Sequence, residues 1–270
     1  MALEIDFLGT GTSTGTPMIG CDCEVCTSKD PRDFRCRMCV GVLAPDGTRI
    51  IVDTPPEFRL LMVKAGYKRA DAVLVTHCHM DHVAGFDDIR RFNTLAGGAV
   101  LPCYAAPETL ESLRSVFPYI SRRSDPRGLF RPKIEFIPVL EPFSIGPVRV
   151  TPLPVIHEPV RTYGYLFECD GARIAHIPDC HEIPAPTMEI LKARPLDVLS
   201  LNCLRPAPHP THLSLGESIA AARESGARET YFVHMSHSLP HAATEAALPE
   251  GMHLAWDGLR VRAGECGKTP

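Results

Sequence analysis

The sequence predicts an α/β fold with two β-sheets at its centre and helices outside them. Three observations lead there. Short apolar or alternating runs that read as strands come in two series, helical patterns are interleaved with both series, and the strands of each run out into histidine, aspartate or cysteine. With 270 residues, 44% of them hydrophobic, the chain can bury a large core. A net charge of −4 argues against general electrostatic capture of duplex nucleic acid or an acidic membrane.

Residues 3–8 alternate apolar and polar as a half-buried strand and run into Gly9-Thr10-Gly11-Thr12-Ser13-Thr14-Gly15. No Lys-Ser/Thr pair follows and no helix opens there, so these glycines make a tight connection near the site, with phosphate contact as the alternative. Cys21, Cys23 and Cys26 then crowd three thiols into six residues, the pattern of a closed structural zinc site. Its fourth ligand comes either from Cys36 and Cys39 or from a distant histidine. Eleven cysteines, odd in number and unevenly spaced, fit metal ligation and buried thiols better than a disulfide framework. Residues 39–44 and 49–53 form a hairpin around Pro45-Asp46-Gly47, and Asp53 ends at an edge where it could brace a metal-bound histidine. Residues 57–65 make an amphipathic helix closed by Gly66.

A buried strand over 72–75 leads into the densest stretch, Thr76-His77-Cys78-His79-Met80-Asp81-His82. His77 and His79 are two apart on extended backbone, so they point the same way and can share one cation. Asp81 and His82 must diverge, which suits a second cation about 3.5–4 Å away and the start of a helix through Phe86 and Ile89. A strand over 101–105 and a helix over 107–117, opened by proline, come next. Arg122, Arg123 and Arg127 fall in a polar, turn-rich stretch that reads as a solvated loop, with a place over the site against an anionic substrate as the alternative. The strand 148–155 leads to His157, and the hairpin of 163–169 with 172–177 delivers Asp179, a carboxylate placed to bridge two cations. A buried strand over 198–202 precedes His212 and a helix over 214–225, opened by Ser214 and Glu217 as a capping box. The strand 229–233 ends in His234-Met235-Ser236-His237, two histidines suited to two different ions. A helix over 242–248 and two short strands within 253–261 close the chain.

On these residues the chain resembles the metallo-β-lactamase superfamily, whose H-x-H-x-D-H signature is read at His77, His79, Asp81 and His82, with His157, Asp179 and His234 following in order. The resemblance implies a single domain over 1–270, a four-layer αββα sandwich of two mixed β-sheets flanked by helices, with a Cys-rich zinc loop at 21–26. It implies that His77, His79 and His157 hold one divalent cation, Asp81, His82 and His234 a second, and that Asp179 bridges them. Zinc and manganese both suit such donors. The G-T-G turn, the C-x-C-x-x-C loop and the H-x-S-H pair also resemble the phosphoribosyl 1,2-cyclic phosphate phosphodiesterases of the carbon–phosphorus lyase pathway. That likeness implies a structural zinc on Cys21, Cys23, Cys26 and His237, with His212 beside the scissile phosphate. His212 and Asp81 are the residues it assigns to catalysis.

The expected function is therefore hydrolysis of a small cyclic phosphodiester by water activated between two cations. Competing readings are a tRNase Z-like RNA-processing endonuclease, which the acidic chain and the lack of a long basic, glycine-rich arm disfavour; a hydrolase of thioesters or lactones from the same superfamily, against which the C-x-C-x-x-C loop and His212 weigh; and a non-catalytic metal-binding scaffold. No apolar run is long enough to span a bilayer and residues 1–4 lead straight into a strand, so the expectation is a cytoplasmic protein with a small-molecule substrate, no membrane partner and no nucleic-acid partner. A homodimer is in keeping with the family likeness.

Overall fold

Alternation along the first strand decides the layering of the molecule. In β1 (Glu4–Gly9), Ile5 and Phe7 face a core between two sheets, while Leu8 faces a second core under helices. This is a computed structural model and it describes residues 3–121 and 131–263; Arg122, Arg123 and Arg127 lie outside the described residues.

The first sheet continues through β2 (Cys39–Leu43), β3 (Arg49–Val52), β4 (Ala72–Leu74), β5 (Leu101–Ala105) and β6 (Ile134–Pro138). The second is built from β7 (Phe143–Ile145), β8 (Val148–Val155), β9 (Thr162–Cys169), β10 (Ala172–Ile177), β11 (Val198–Asn202), β12 (Glu229–Val233) and β13 (Met252–Leu254). The last strand, β14 (Leu259–Arg262), returns to the first sheet beside β1, so each sheet has seven strands. Val40, Val42 and Val52 of one sheet meet Val148, Val150 and Phe167 of the other. Outside the first sheet, Phe58 and Leu61 of α1 (Phe58–Lys64) cover Val73 and Cys103. The short α2 (Met80–Val83), α3 (Arg90–Leu95), α4 (Pro107–Val116) and α5 (Pro118–Ser121) complete that side. Outside the second sheet, α6 (Ala185–Lys192) and α7 (Leu215–Ser225) place Met188, Leu191 and Ala222 over Ala175 and Leu199, and α8 (His241–Ala247) comes after them. The result is the expected αββα sandwich, and burial on both faces is why the central strands read as unbroken apolar runs.

Strands β3 to β6 are mutually parallel, and so are β10 to β13. The loops after their carboxyl ends therefore collect at one edge of the sandwich, the usual ligand face of such sheets. Two cross-sheet bonds fasten that edge: the Tyr165 hydroxyl donates to Val75 O at 2.9 Å and the Tyr163 amide to Thr76 O at 3.1 Å.

One local expectation needs correction, and one helix has no expectation at all. The helix through Phe86 and Ile89 is broken into α2, a 3-10 turn over Phe86–Ile89, and α3. At the break, Gly85 passes so close to residue 55 that a Cβ there would stand 2.2 Å from Pro55 O, and the His82 carbonyl accepts from Thr54 N instead of continuing the helix. Helix α6 is not announced by the sequence, because Pro184 and Pro186 make residues 183–186 look like a loop. Prolines at a helix start remove amides that have no partner within the helix anyway.

Candidate metal centre

The candidate ligands come from loops that leave the carboxyl ends of strands in both sheets. His77 and His79 follow β4, His82 sits on α2, His157 follows β8, Asp179 follows β10 and His234 follows β12. Although drawn from distant parts of the chain, their nitrogens and oxygens fall into groups whose members lie within 4.8 Å of one another: His77 with His79 and His157, and Asp81 with His82 and His234. Asp179 stands between them, grouped with His77 and His82 and again with His157 and His212.

The spacings suit cations. His79 Nδ1 lies 2.9 Å from His77 Nε2 and 3.4 Å from His157 Nε2. Two nitrogens at the usual distance from one zinc ion stand about 2.9–3.3 Å apart, depending on the angle between them. Asp179 holds one oxygen 3.0 Å from His82 Nε2 and the other 3.1 Å from His234 Nε2, while Asp81 Oδ2 is 3.4 and 3.5 Å from the same two nitrogens. Among the described residues, His82 Nε2 and Asp179 Oδ2 are buried with no hydrogen-bond partner beyond their 3.0 Å approach to each other and the 3.4 Å approach of Asp81 Oδ2 to the nitrogen. Buried polar atoms of that kind are costly unless paired, and a cation between them would pair both. The residues present therefore fit divalent cations.

Outer partners fix which imidazole nitrogen faces inward. Asp53 Oδ1 accepts from the Thr76 amide at 2.9 Å, while its Oδ2 accepts from the Thr76 hydroxyl at 2.8 Å and lies 2.7 Å from His82 Nδ1. Having given its proton to Asp53, the Thr76 hydroxyl can only accept from His77 Nδ1, 3.0 Å away. His157 Nδ1 is 2.9 Å from Thr211 O, and a carbonyl accepts only. Each of the three imidazoles thus turns Nε2 toward the cluster.

Charge obeys the same plan. Burial, reinforced by His82, holds His77 well below the ordinary imidazole value, and burial with His157 lowers His79. Burial opposes charge on His82, but Asp179, Asp53 and Asp81 outweigh it and raise His82 well above the ordinary value. Burial likewise opposes ionisation of Asp179, yet His234 and His82 hold it well below the carboxylate range. His212 is pushed down to about 3 by burial and then by His234.

His212 stands at the rim of this cluster. Its ring centroid is 4.8 Å from that of His157 and 4.9 Å from that of His234, and its Nδ1 is 3.5 Å from Asp179 Oδ1. Asn202, which the sequence shows only as the end of a strand, ties the neighbouring loops together. Its amide nitrogen donates to Pro178 O at 3.0 Å, and its oxygen accepts from Leu213 N at 2.9 Å. A polar side chain ending an apolar strand was the one available signal.

The second cluster lies beside the first. Cys21, Cys23 and Cys26 place their sulfurs 3.2, 3.3 and 3.6 Å from His237 Nδ1. Sulfur and nitrogen bound to one tetrahedral zinc ion stand about 3.5 Å apart. The Cys26 backbone hydrogen bond leads the influences that lower the Cys23 thiol to about 6 and favour its thiolate. Of the two sources left open for a fourth ligand, the structure brings the distant histidine. Cys39 is buried on β2 with its thiol on Asp53 O, and the Cys36 amide donates to Asp257. In the glycine turn, Gly11 N donates to Cys36 O and Thr12 N to Met235 O, so these two amides are taken by the protein itself.

An αββα sandwich with His and Asp clusters at the carboxyl ends of its strands defines a metal-dependent hydrolase. A model of the β-lactamase superfamily domain matches residues 48–235, and the chain belongs to that superfamily. It is similar to a solved structure described as a new diphosphatase from the PhnP family, with 41% identity, 97% of each chain covered and a TM-score of 0.88. A relative from Porphyromonas gingivalis (strain ATCC BAA-308 / W83), described as an octanoyltransferase, is 35% identical over 262 residues, covering 96% of this chain and 51% of its own. The chain thus spans about half the length of that relative. Coenzyme PQQ synthesis protein B of Methylorubrum extorquens (strain PA1) is 28% identical over 216 residues, covering 71% of this chain and 69% of its own. Among the described residues, no helix is long and apolar enough to cross a membrane.

Proposed function

We propose that this protein is a phosphodiesterase that hydrolyses a small cyclic phosphodiester such as phosphoribosyl 1,2-cyclic phosphate. In this reading His77, His79 and His157 hold one cation, Asp81, His82 and His234 a second, Asp179 bridges them, and Cys21, Cys23, Cys26 and His237 hold a structural zinc. The observation that carries the reading is the place of His212, against both ligand groups yet outside the two sets of three. When bound, zinc or manganese ions supply an acidified water and neutralise phosphoryl charge.

The protein's own residues do the rest. Asp179 stays ionised because His234 and His82 flank it, so it offers one oxygen to each side of the centre. Asp81, also held below the carboxylate range and with 11% of its side chain exposed against 2% for Asp179, is the carboxylate at the open face. There it accepts a hydrogen bond from the attacking water and orients it. His212 is neutral in the free protein, and an anionic phosphodiester beside it raises its proton affinity. In that complex it takes a proton from solvent and passes it to the sugar oxygen as the P–O bond breaks, work of about 10²- to 10⁴-fold. The similarity to a PhnP-family diphosphatase supports phosphoryl chemistry over other hydrolyses.

The test is turnover of bis(p-nitrophenyl) phosphate and a panel of cyclic phosphates against a thioester and a lactone. Hydrolysis confined to the phosphodiesters is expected, and a His212→Ala protein should lose about 10²- to 10⁴-fold in kcat with its ion content intact. Equal turnover of the thioester or lactone, or full activity in His212→Ala, would end the reading.

A further inference from the structure

The turn His234-Met235-Ser236-His237 gives one imidazole to each cluster. His234 sits at φ 58°, a left-handed conformation that a non-glycine residue holds only when its surroundings enforce it. Backbone bonds enforce part of it: Met235 N donates to Thr10 O at 3.1 Å, Met235 O accepts from Thr12 N at 3.1 Å, and Ser236 N donates to Leu204 O at 2.9 Å.

Arg35 holds the far side of the turn. Its guanidinium donates to Ser236 O at 2.7 Å, to Leu239 O at 2.5 Å and to Asp33 Oδ1 at 3.3 Å. No part of that side chain is exposed. Asp33 Oδ1 also accepts from His241 N at 2.8 Å, which locks the start of α8 to the same unit. On its own backbone Arg35 exchanges two bonds with Thr16, five residues before the cysteine loop begins. A guanidinium is costly to bury, and an apolar replacement for a buried ion pair is often the more stable choice. What it supplies here is geometry, because its planar fork fixes two carbonyls at once.

We propose that Arg35 is a positioning residue, a role that rests on the ion sites assigned under the proposed function. It sets the turn so that His234 reaches the active-site cations, while the three thiolates of the neighbouring loop hold the cysteine site that His237 completes.

The experiment is a cobalt(II) titration of the metal-free full chain, reading thiolate-to-cobalt charge transfer for the cysteine site and ligand-field absorption for the imidazole site. Arg35→Lys keeps the charge and loses the fork. Its active-site affinity should fall about 10- to 100-fold while the cysteine site still fills, the scale expected when a ligand's outer support is removed. Asp33→Asn leaves Arg35 in place and should shift the active-site affinity the same way by less. Wild-type affinity at the imidazole site in either variant overturns the proposal, as does equal loss of cobalt from both sites alongside a lower melting temperature. If Arg35→Lys does not fold, Asp33→Asn decides by the same titration. A wild-type chain that takes up cobalt only at the cysteines would instead remove the active-site reading on which the proposal stands, so the two failures are distinguishable.

Discussion

The two ligand clusters meet at His234 and His237, three residues apart, yet they are built in opposite ways. The cysteine cluster takes three of its four members from one six-residue loop, so that loop has little else to organise it. The imidazole and carboxylate cluster takes its members from the ends of strands in both sheets, and the packed sheets hold them in place. The former resembles a closed structural site and the latter an open catalytic one. Damage to the two should therefore register in different measurements.

The largest contrast is expected from Asp179→Asn. The substitution removes the charge that faces both His82 and His234 while keeping the side chain's shape. Phosphodiester turnover should fall by more than about 10³-fold, beyond the roughly 10- to 100-fold that loss of an outer partner costs. The melting temperature of the variant should stay close to that of the parent. A scan showing Asp179→Asn largely unfolded would mean that this cluster, too, organises the fold. Cys23→Ser should behave the other way. Binding of a structural ion is folding free energy, so its melting temperature should drop by about 4–5 °C, roughly 2–3 kcal/mol, with smaller losses in kcat. Unchanged melting behaviour in that variant would erase the distinction between the clusters.

The same contrast governs how much of the molecule is legible in its sequence. His77, His79, Asp81 and His82 are legible because four ligand-type residues rarely fall within six positions by chance, and the cysteine loop is legible for the same reason. Strand β4 announces itself because both faces are buried and every residue is apolar, and β11 does so despite the buried Ser200 and Asn202 because its other three residues are apolar. The features that stay hidden depend on contacts between distant segments. The carbonyl of Thr211 that orients His157 has no side-chain signature at all. Gly85 breaks the helix because residue 55 passes beside it, and nothing local tells that glycine from one that a helix tolerates. Arg35 looks like a surface cation in sequence and is fully buried.

The smallest effect is a pH dependence peculiar to the imidazole cluster. In the ion-free protein His82 binds its proton more tightly than a free imidazole, because burial is outweighed by Asp179, Asp53 and Asp81. A folded value raised in this way contributes stability that is complete below the unfolded value of about 6.5 and is lost as the pH climbs through the folded value. A cation needs the same nitrogen without its proton, so acid favours the ion-free form and opposes loading. His77 and His79 are both lowered by burial, so a cation competes less with protons there than at His82. One displaced proton is worth about 1.4 kcal/mol per pH unit, or about 2–4 °C of melting temperature. Calorimetry of loaded and chelated protein between about pH 8 and pH 6 should show their melting temperatures converging by that amount per unit as the pH falls. A gap that stays constant would mean that ions at this cluster displace no proton, and that His82 does not face them as its 3.0 Å approach to Asp179 requires.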